Sequence, residues 1–186
     1  MGILHPRLVD PNPAFFTVTK PDPQTDRPQL THLDSEGAAR MVDVSDKDQT
    51  VRIARARAVV ELTPAVRAAL LAGDLPKGEA IGTARLAGIQ AAKETGRLIP
   101  LCHPLGLSAV DVTFASQGDA NLEVQAEVKC VGPTGVEMEA MCAVSVSALT
   151  LYDMCKSIHK GIRISRVELM YKSGGRSGTW ECDPDS

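Results

Sequence analysis

The stretch that most restricts what this chain can become is Val136–Lys160, a long and mostly apolar run carrying Met141, Val144, Leu149, Tyr152 and Ile158. At 3.6 residues per turn it predicts one helix of about seven turns. Such a helix cannot face water on every side, yet no part of the sequence approaches the roughly 18 consecutive apolar residues of a membrane span. The rest of the chain must wrap it, so it is the expected centre of a core.

Alternating segments offer the wrapping. In Thr50–Leu62 the residues Ala54, Ala56, Ala58, Val60 and Leu62 share one parity while Arg55, Arg57 and Glu61 take the other, a period of two that specifies a strand. Asn121–Cys130 sets Leu122, Val124, Ala126, Val128 and Cys130 against Glu123, Gln125, Glu127 and Lys129, and Ala109–Ser116 alternates through Val110, Val112 and Phe114. Gln117, Gly118 and Asp119 join these two as a hairpin, and Ile162–Tyr171 supplies a closing strand. Between them, Thr63 as N-cap and Pro64 in the first turn open a short helix that Gly73 ends. Gly78–Gly96 reads as a longer helix whose packing face is small at Ala84, Gly88 and Ala92. The order strand, helix, helix, strand, strand, helix, strand predicts an α+β fold, a ferredoxin-like antiparallel sheet with helices packed on one face. Aromatic residues are only 3% of the chain, so aliphatic side chains must fill its core.

Proline marks the boundaries. Six of the twelve prolines (Pro6, Pro11, Pro13, Pro21, Pro23, Pro28) crowd the first thirty residues without apolar periodicity. Residues 1–29 are therefore expected to be a flexible tail, 30–180 a single domain and 181–186 a frayed end. Twenty Lys and Arg against 23 Asp and Glu leave a formal charge of -3, which excludes a broad positive field for nucleic acid or acidic membrane. Met1–Asp10 lacks the basic start and apolar core of a secretory signal, so the cytoplasm is the expected location. Five cysteines, never spaced C-x-x-C, suggest neither a disulfide framework nor a zinc ribbon.

Three places concentrate reactive groups. In Ile99–Leu105 two prolines bracket Cys102 and His103, fixing the direction in which the imidazole is presented, although a stiff loop with a packed Cys and a solvated His would look the same. In Gly132–Glu139 a turn runs into the long helix with Glu137 and Glu139 in its first turn. The helix dipole favours acids there, but two acids flanking Met138 in an apolar helix place one of them near buried surface. In Tyr152–Lys156, Asp153 and Lys156 are three residues apart and face the same way. Inside an apolar run, partial burial would push the Lys down or the Asp up into acid–base range. Two further features suggest phosphate: the Gly-rich loop Lys172–Gly178 and Lys77, placed just before a helix N-terminus.

With these residues in view the chain resembles the cyclic pyranopterin monophosphate synthases, the protein C family of molybdenum cofactor biosynthesis. The resemblance runs from about Leu30 to Gly178 and is carried by Met41–Ser45, Ala84–Lys93, Leu98–Leu105, Thr134–Ala140, Leu149–Lys156 and Lys172–Gly175. It implies a catalytic domain over 30–180. The implied activity is that of a lyase converting (8S)-3',8-cyclo-7,8-dihydroguanosine 5'-triphosphate to cyclic pyranopterin monophosphate and diphosphate. It further implies a homohexamer made of three dimers, and substrate contacts at Leu101, Cys102, His103, Met138 and Glu139. Asp153 and Lys156 match the family's active-site residues, Arg52, Lys77 and Lys172 match basic positions around the triphosphate, and Glu137 lies beside the purine-derived ring. No resident cofactor is expected, and Mg2+ would at most accompany the triphosphate. The competing expectation is a noncatalytic phosphate-binding or small-molecule-binding module on the same fold.

If the long segment is one helix, Glu139 and Asp153 are fourteen residues apart. At 1.5 Å per residue that is about 21 Å along the axis, too far for one bicyclic nucleus to touch both. A site shared between two subunits is the expectation, with the polar sheet face and the small-residue helix from Gly82 to Ala92 as surfaces for assembly.

Overall fold

The computed structural model describes residues 37–118 and 120–183, so the expected tail over 1–29 lies outside the described residues. The elements are β1 (Thr50–Glu61), α1 (Pro64–Ala72), α2 (Ala80–Leu98), β2 (Leu107–Gln117), β3 (Asn121–Gly132), α3 (Glu137–Cys155), β4 (Arg163–Ser173) and β5 (Trp180–Glu181). The strands form one antiparallel sheet in the order β2-β3-β1-β4-β5, the ferredoxin-like arrangement with a short fifth strand added at the β4 edge. Glu181 pairs with Tyr171, and the Cys182 amide donates to the Met170 carbonyl at 2.9 Å.

The period-two pattern of β1 decides which face is buried. Ala54, Ala56, Ala58 and Val60 are essentially without exposure and stand opposite Val128, Ala126, Val124 and Leu122 of β3. α3 lies over β1, β3 and β4, and its own buried residues Ala140, Ala143, Val144 and Ala148 are small, so helix and sheet approach closely. The other sheet face satisfies itself with charge. Arg55 pairs with Glu127 at 2.5 Å, Arg57 with Glu168 at 2.5 Å and Glu123 at 3.8 Å, and the Arg55 guanidinium stacks 4.9 Å over Tyr171.

α1 starts and stops as its caps dictate. The Thr63 hydroxyl accepts from the Val66 amide at 3.4 Å, and Gly73 ends the helix in the left-handed region at φ 68. The small face of α2, expected to be open for subunit assembly, instead packs inside the chain. Gly88 lies so close to α3 that a Cβ would collide with the Ser147 hydroxyl and press on the Ala143 carbonyl oxygen at 2.9 Å. The Ser147 hydroxyl in turn donates to the Ala84 carbonyl at 2.9 Å, tying the two helices.

α3 is also shorter than the sequence pattern predicts. It ends at Cys155, and from Lys156 onward the chain makes turns in which Ile158 and His159 amides both return to the Cys155 carbonyl. The Tyr152 hydroxyl donates to the Lys160 carbonyl at 3.3 Å and the Gly161 amide to His159 Nδ1 at 2.9 Å, so local partners replace the helical ladder. Ile158 still packs on the core from a turn, which is why hydrophobicity alone carried the expected helix too far.

Candidate active site

The N-terminal end of α3 faces a cleft built from four chain segments. The loop after α2 is laid against that helix at Gly96, where a Cβ would stand 3.0 Å from Pro104 Cα and 3.2 Å from the His103 carbonyl oxygen. Held there, the prolines turn Leu101, Cys102 and His103 toward the turn at 133–136 and the first residues of α3. Residues 42–47 pass alongside, fastened by His103 Nε2 to the Val42 carbonyl oxygen at 2.8 Å. A carbonyl can only accept, so Nε2 carries the proton and Nδ1 is the ring's free position.

One chamber of this cleft, about 390 Å³, is lined by Leu101, Cys102, His103, Glu137, Met138 and Glu139 together with Val42, Val44 and Lys47. A second chamber of about 490 Å³ adjoins it through Lys47, Thr134, Gly135 and Glu137 and contains Arg52, Lys172 and Arg176. Eight of the residues singled out from sequence thus meet in one place. Lys47, Thr134, Gly135 and Arg176 were not among them. Thr134 and Gly135 lay in the turn marked for Glu137 and Glu139, Arg176 lay in the Gly-rich loop Lys172–Gly178, and Lys47 had only its place just before β1 to signal it.

Glycine shapes the second chamber. Arg52 donates from Nε to the Gly132 carbonyl at 3.2 Å and from Nη2 to the Pro133 carbonyl at 3.1 Å, and its guanidinium lies where a Cβ of Gly175 would be. Gly174 and Gly175 have φ 101 and 72, conformations that suit glycine. The Lys172 ammonium pairs with Glu137 at 3.1 Å and donates to the Ser177 hydroxyl at 2.9 Å.

Glu139 is only 3% exposed and no cation pairs with it among the described residues. Burial, aided by the neighbouring Glu137 charge, raises its carboxyl to about 7, against the lowering influence of a backbone hydrogen bond. The Cys102 thiol is pushed up by burial first and then by Glu139 and Cys142, so it enters as a neutral thiol rather than a thiolate nucleophile.

Asp153, Lys156 and Lys77 lie elsewhere. At the far end of α3, Asp153 receives Lys77 at 2.6 Å and Lys156 at 2.7 Å. The expectation of partial burial fails here, since the side chains of Asp153 and Lys156 are 52% and 47% exposed. The shifts therefore run opposite to those expected: hydrogen bonds from Lys156 and Lys77 hold Asp153 down at about 2, and Asp153 raises Lys156. The α2 N-terminus just after Lys77 is no anion site either, because the Glu79 carboxylate caps it through the Gly82 amide at 2.5 Å. Among the described residues no group of three or more His, Cys, Asp or Glu could hold a metal ion, and no helix is long and apolar enough to cross a membrane.

Comparison with known proteins gives the family to which the chain belongs. The model of the MoaC family matches residues 41–175, a span that includes both chambers apart from Arg176 and Ser177 and the whole Lys77–Asp153–Lys156 cluster. A cyclic pyranopterin monophosphate synthase of Chloroflexus aurantiacus is 53% identical over 154 residues, covering 82% of this chain and 94% of its own. One of Methylobacterium nodulans is 54% identical over 158 residues, covering 84% and 99%. A protein of Mycobacterium bovis named cyclic pyranopterin monophosphate synthase 3 is 56% identical over 149 residues, covering 80% and 84%.

Proposed function

Because the chain belongs to the MoaC family, we propose that it is a cyclic pyranopterin monophosphate synthase, a lyase of molybdenum cofactor biosynthesis. It takes (8S)-3',8-cyclo-7,8-dihydroguanosine 5'-triphosphate to cyclic pyranopterin monophosphate and releases diphosphate. The observation that carries this reading is the pairing of two chambers, one with a buried acid raised to about 7 and the other with cations. A purine-derived ring system needs hydrogen-bond partners that cost little to desolvate, which a protonated Glu139, the Cys102 thiol and His103 Nδ1 supply. A triphosphate of about four negative charges needs several cations, which Arg52, Lys172 and Arg176 supply although the protein as a whole is acidic. Magnesium would come with the substrate, bound mainly by its phosphate oxygens.

Asp153 and Lys156 carry the proton transfers in this reading. At neutral pH Asp153 is a carboxylate and Lys156 an ammonium, so Lys156 is the first donor and Asp153 the first acceptor. Lys77 holds Asp153 in place from the other side.

The separation of Glu139 and Asp153 along α3, about 21 Å at 1.5 Å per residue, supports a site completed by a second subunit. In this arrangement the cleft of one chain meets the Asp153 end of another within a cytoplasmic homohexamer of three dimers. The test mixes inactive Asp153→Asn chains with inactive Glu139→Gln chains under subunit exchange and measures diphosphate release. About a quarter of the sites should recover in an even mixture if each pairs one end from each of two chains. Absence of recovery in proven mixed oligomers would mean that each chain carries a complete site. Wild-type protein that binds the triphosphate without releasing diphosphate would mean that the chain is a binding module.

A further inference from the structure

Of the four residues that line both chambers, two are charged, Lys47 and Glu137. Glu137 is engaged by Lys172. Lys47 is different: its ammonium forms no ion pair or hydrogen bond with any described residue, and its backbone alone is fixed. The Lys47 amide donates to the Val44 carbonyl at 3.1 Å, and just before it Asp43 accepts from the Ser45 amide at 2.9 Å and hydroxyl at 2.7 Å. Two consecutive turns therefore deliver a half-buried side chain to the wall between the chambers.

Two of the other cations nearby are committed within the protein. Arg52 is hydrogen-bonded to two carbonyls, and Lys172 to Glu137 and Ser177. Among the described residues Lys47 is also the one lysine or arginine that lines the ring chamber. Lys47 shares the second chamber with Arg52, Lys172 and Arg176 against two acids, Asp48 and Glu137, an excess of positive charge that becomes favourable when an anion enters.

Resting on the function proposed above, we propose that Lys47 binds the phosphate nearest the ring system, the one retained in the cyclic monophosphate. With the ring in one chamber and the outer phosphates in the other, that phosphate must lie at the junction Lys47 reaches. In the closing step a hydroxyl oxygen of the sugar-derived part forms a bond to this phosphorus. The bond from phosphorus to the bridging oxygen breaks, diphosphate leaves with the electron pair, and the hydroxyl proton passes to a base. Lys47 neutralises the non-bridging oxygens of the phosphorus under attack, whereas Arg176 stands on the side of the departing diphosphate. Turnover therefore depends on Lys47 far more than diphosphate affinity does.

The experiment compares full-length Lys47→Met, Lys47→Arg and Arg176→Met with wild type, measuring kcat/KM on the cyclic nucleotide and Kd for diphosphate by calorimetry. Lys47→Met should lower kcat/KM on the order of 100-fold while changing the diphosphate Kd less than about twofold, and Lys47→Arg should recover most of the loss. Arg176→Met should weaken diphosphate binding more than Lys47→Met does. Lys47→Gln repeats the measurement should the Met variant fold poorly. Unchanged kcat/KM in Lys47→Met, or a loss of diphosphate affinity as large as that of Arg176→Met, would overturn the assignment while leaving the wild-type function standing. A wild type without turnover would remove both.

Discussion

At the N-terminal end of α3 a carboxyl group is sunk in the protein with no cation from the described residues on it; at the C-terminal end of the same helix a carboxylate stands half in water between two ammonium groups. The helix dipole alone would order them the other way, favouring the anion at Glu139 and disfavouring it at Asp153. Glu139 is nevertheless raised to about 7 and Asp153 lowered to about 2. For Glu139 the rise from 4.5 corresponds to about 3 kcal/mol at 1.36 kcal/mol per unit, against about 0.3–1 kcal/mol for a dipole. Desolvation wins at one end and direct hydrogen bonds from cations win at the other. One end thus keeps an acid that titrates near neutral pH, and the other keeps a fixed charge pair, carboxylate and ammonium, whose own values lie far from neutral.

The most severe way to break this division is Lys156→Ala. Turnover should fall by at least about 1000-fold with the fold intact, read as diphosphate release beside a circular dichroism spectrum. Lys156→Arg should fail nearly as badly, because a guanidinium does not give up its proton at working pH. Near-normal activity in the Arg variant would reduce the C-terminal end to electrostatics alone.

A milder test sharpens the other half. Because the folded Glu139 carboxyl titrates near 7 rather than 4.5, the folded state holds its proton more tightly than the unfolded one. That contribution is fully present below about 4.5 and is lost as pH rises through about 7. Glu139→Gln should therefore unfold at a higher temperature than wild type at pH 8, with the advantage disappearing toward pH 5. An advantage independent of pH would mean that Glu139 is not the buried acid described.

The smallest effect belongs to Asp153→Asn. Its carboxylate is held by Lys156 and Lys77 but is well exposed, so solvent screens the pair and the unfolding midpoint at pH 7 should move by no more than about 2 °C. Stability owed to the lowered carboxyl is present above 3.8 and is lost as pH falls toward about 2, so any difference between variant and wild type should narrow there. A large shift at pH 7 would make Asp153 a structural residue.

How much of this was legible in the sequence depended on whether a signal was local. The parity of Ala54, Ala56, Ala58 and Val60 specified a strand and its buried face, and Thr63, Pro64 and Gly73 specified where α1 begins and ends. Glu137 and Glu139 were separable in principle but not in assignment, since which one enters the protein depends on the register of α3 against β1 and β3. The end of α3 was misread because Ile158 packs on the core from a turn as well as it would from a helix. The burial of Asp153 was misjudged for a related reason: an apolar run says how much of a helix is covered, not which of its faces the sheet covers. Lys77 reaching Asp153 across 76 residues, and Gly88 consumed against α3 rather than left for a partner, are tertiary facts without a local trace.

Arg52 gives the cleft a place in time. Its guanidinium joins β1 to carbonyls 80 and 81 residues later, and it is accommodated only where Gly175, beyond β4, leaves room. Those segments come together only after three strands have found their register, and contacts so distant in sequence form slowly. A half-folded chain therefore exposes its lysines and arginines to the cell's polyanions as scattered charges, with no cradle to select among them. An anion bound only by the finished cradle would stabilise the folded chain by an amount that grows with the logarithm of its concentration above Kd, so recognition would be withheld until the sheet has closed and would then help to keep it closed.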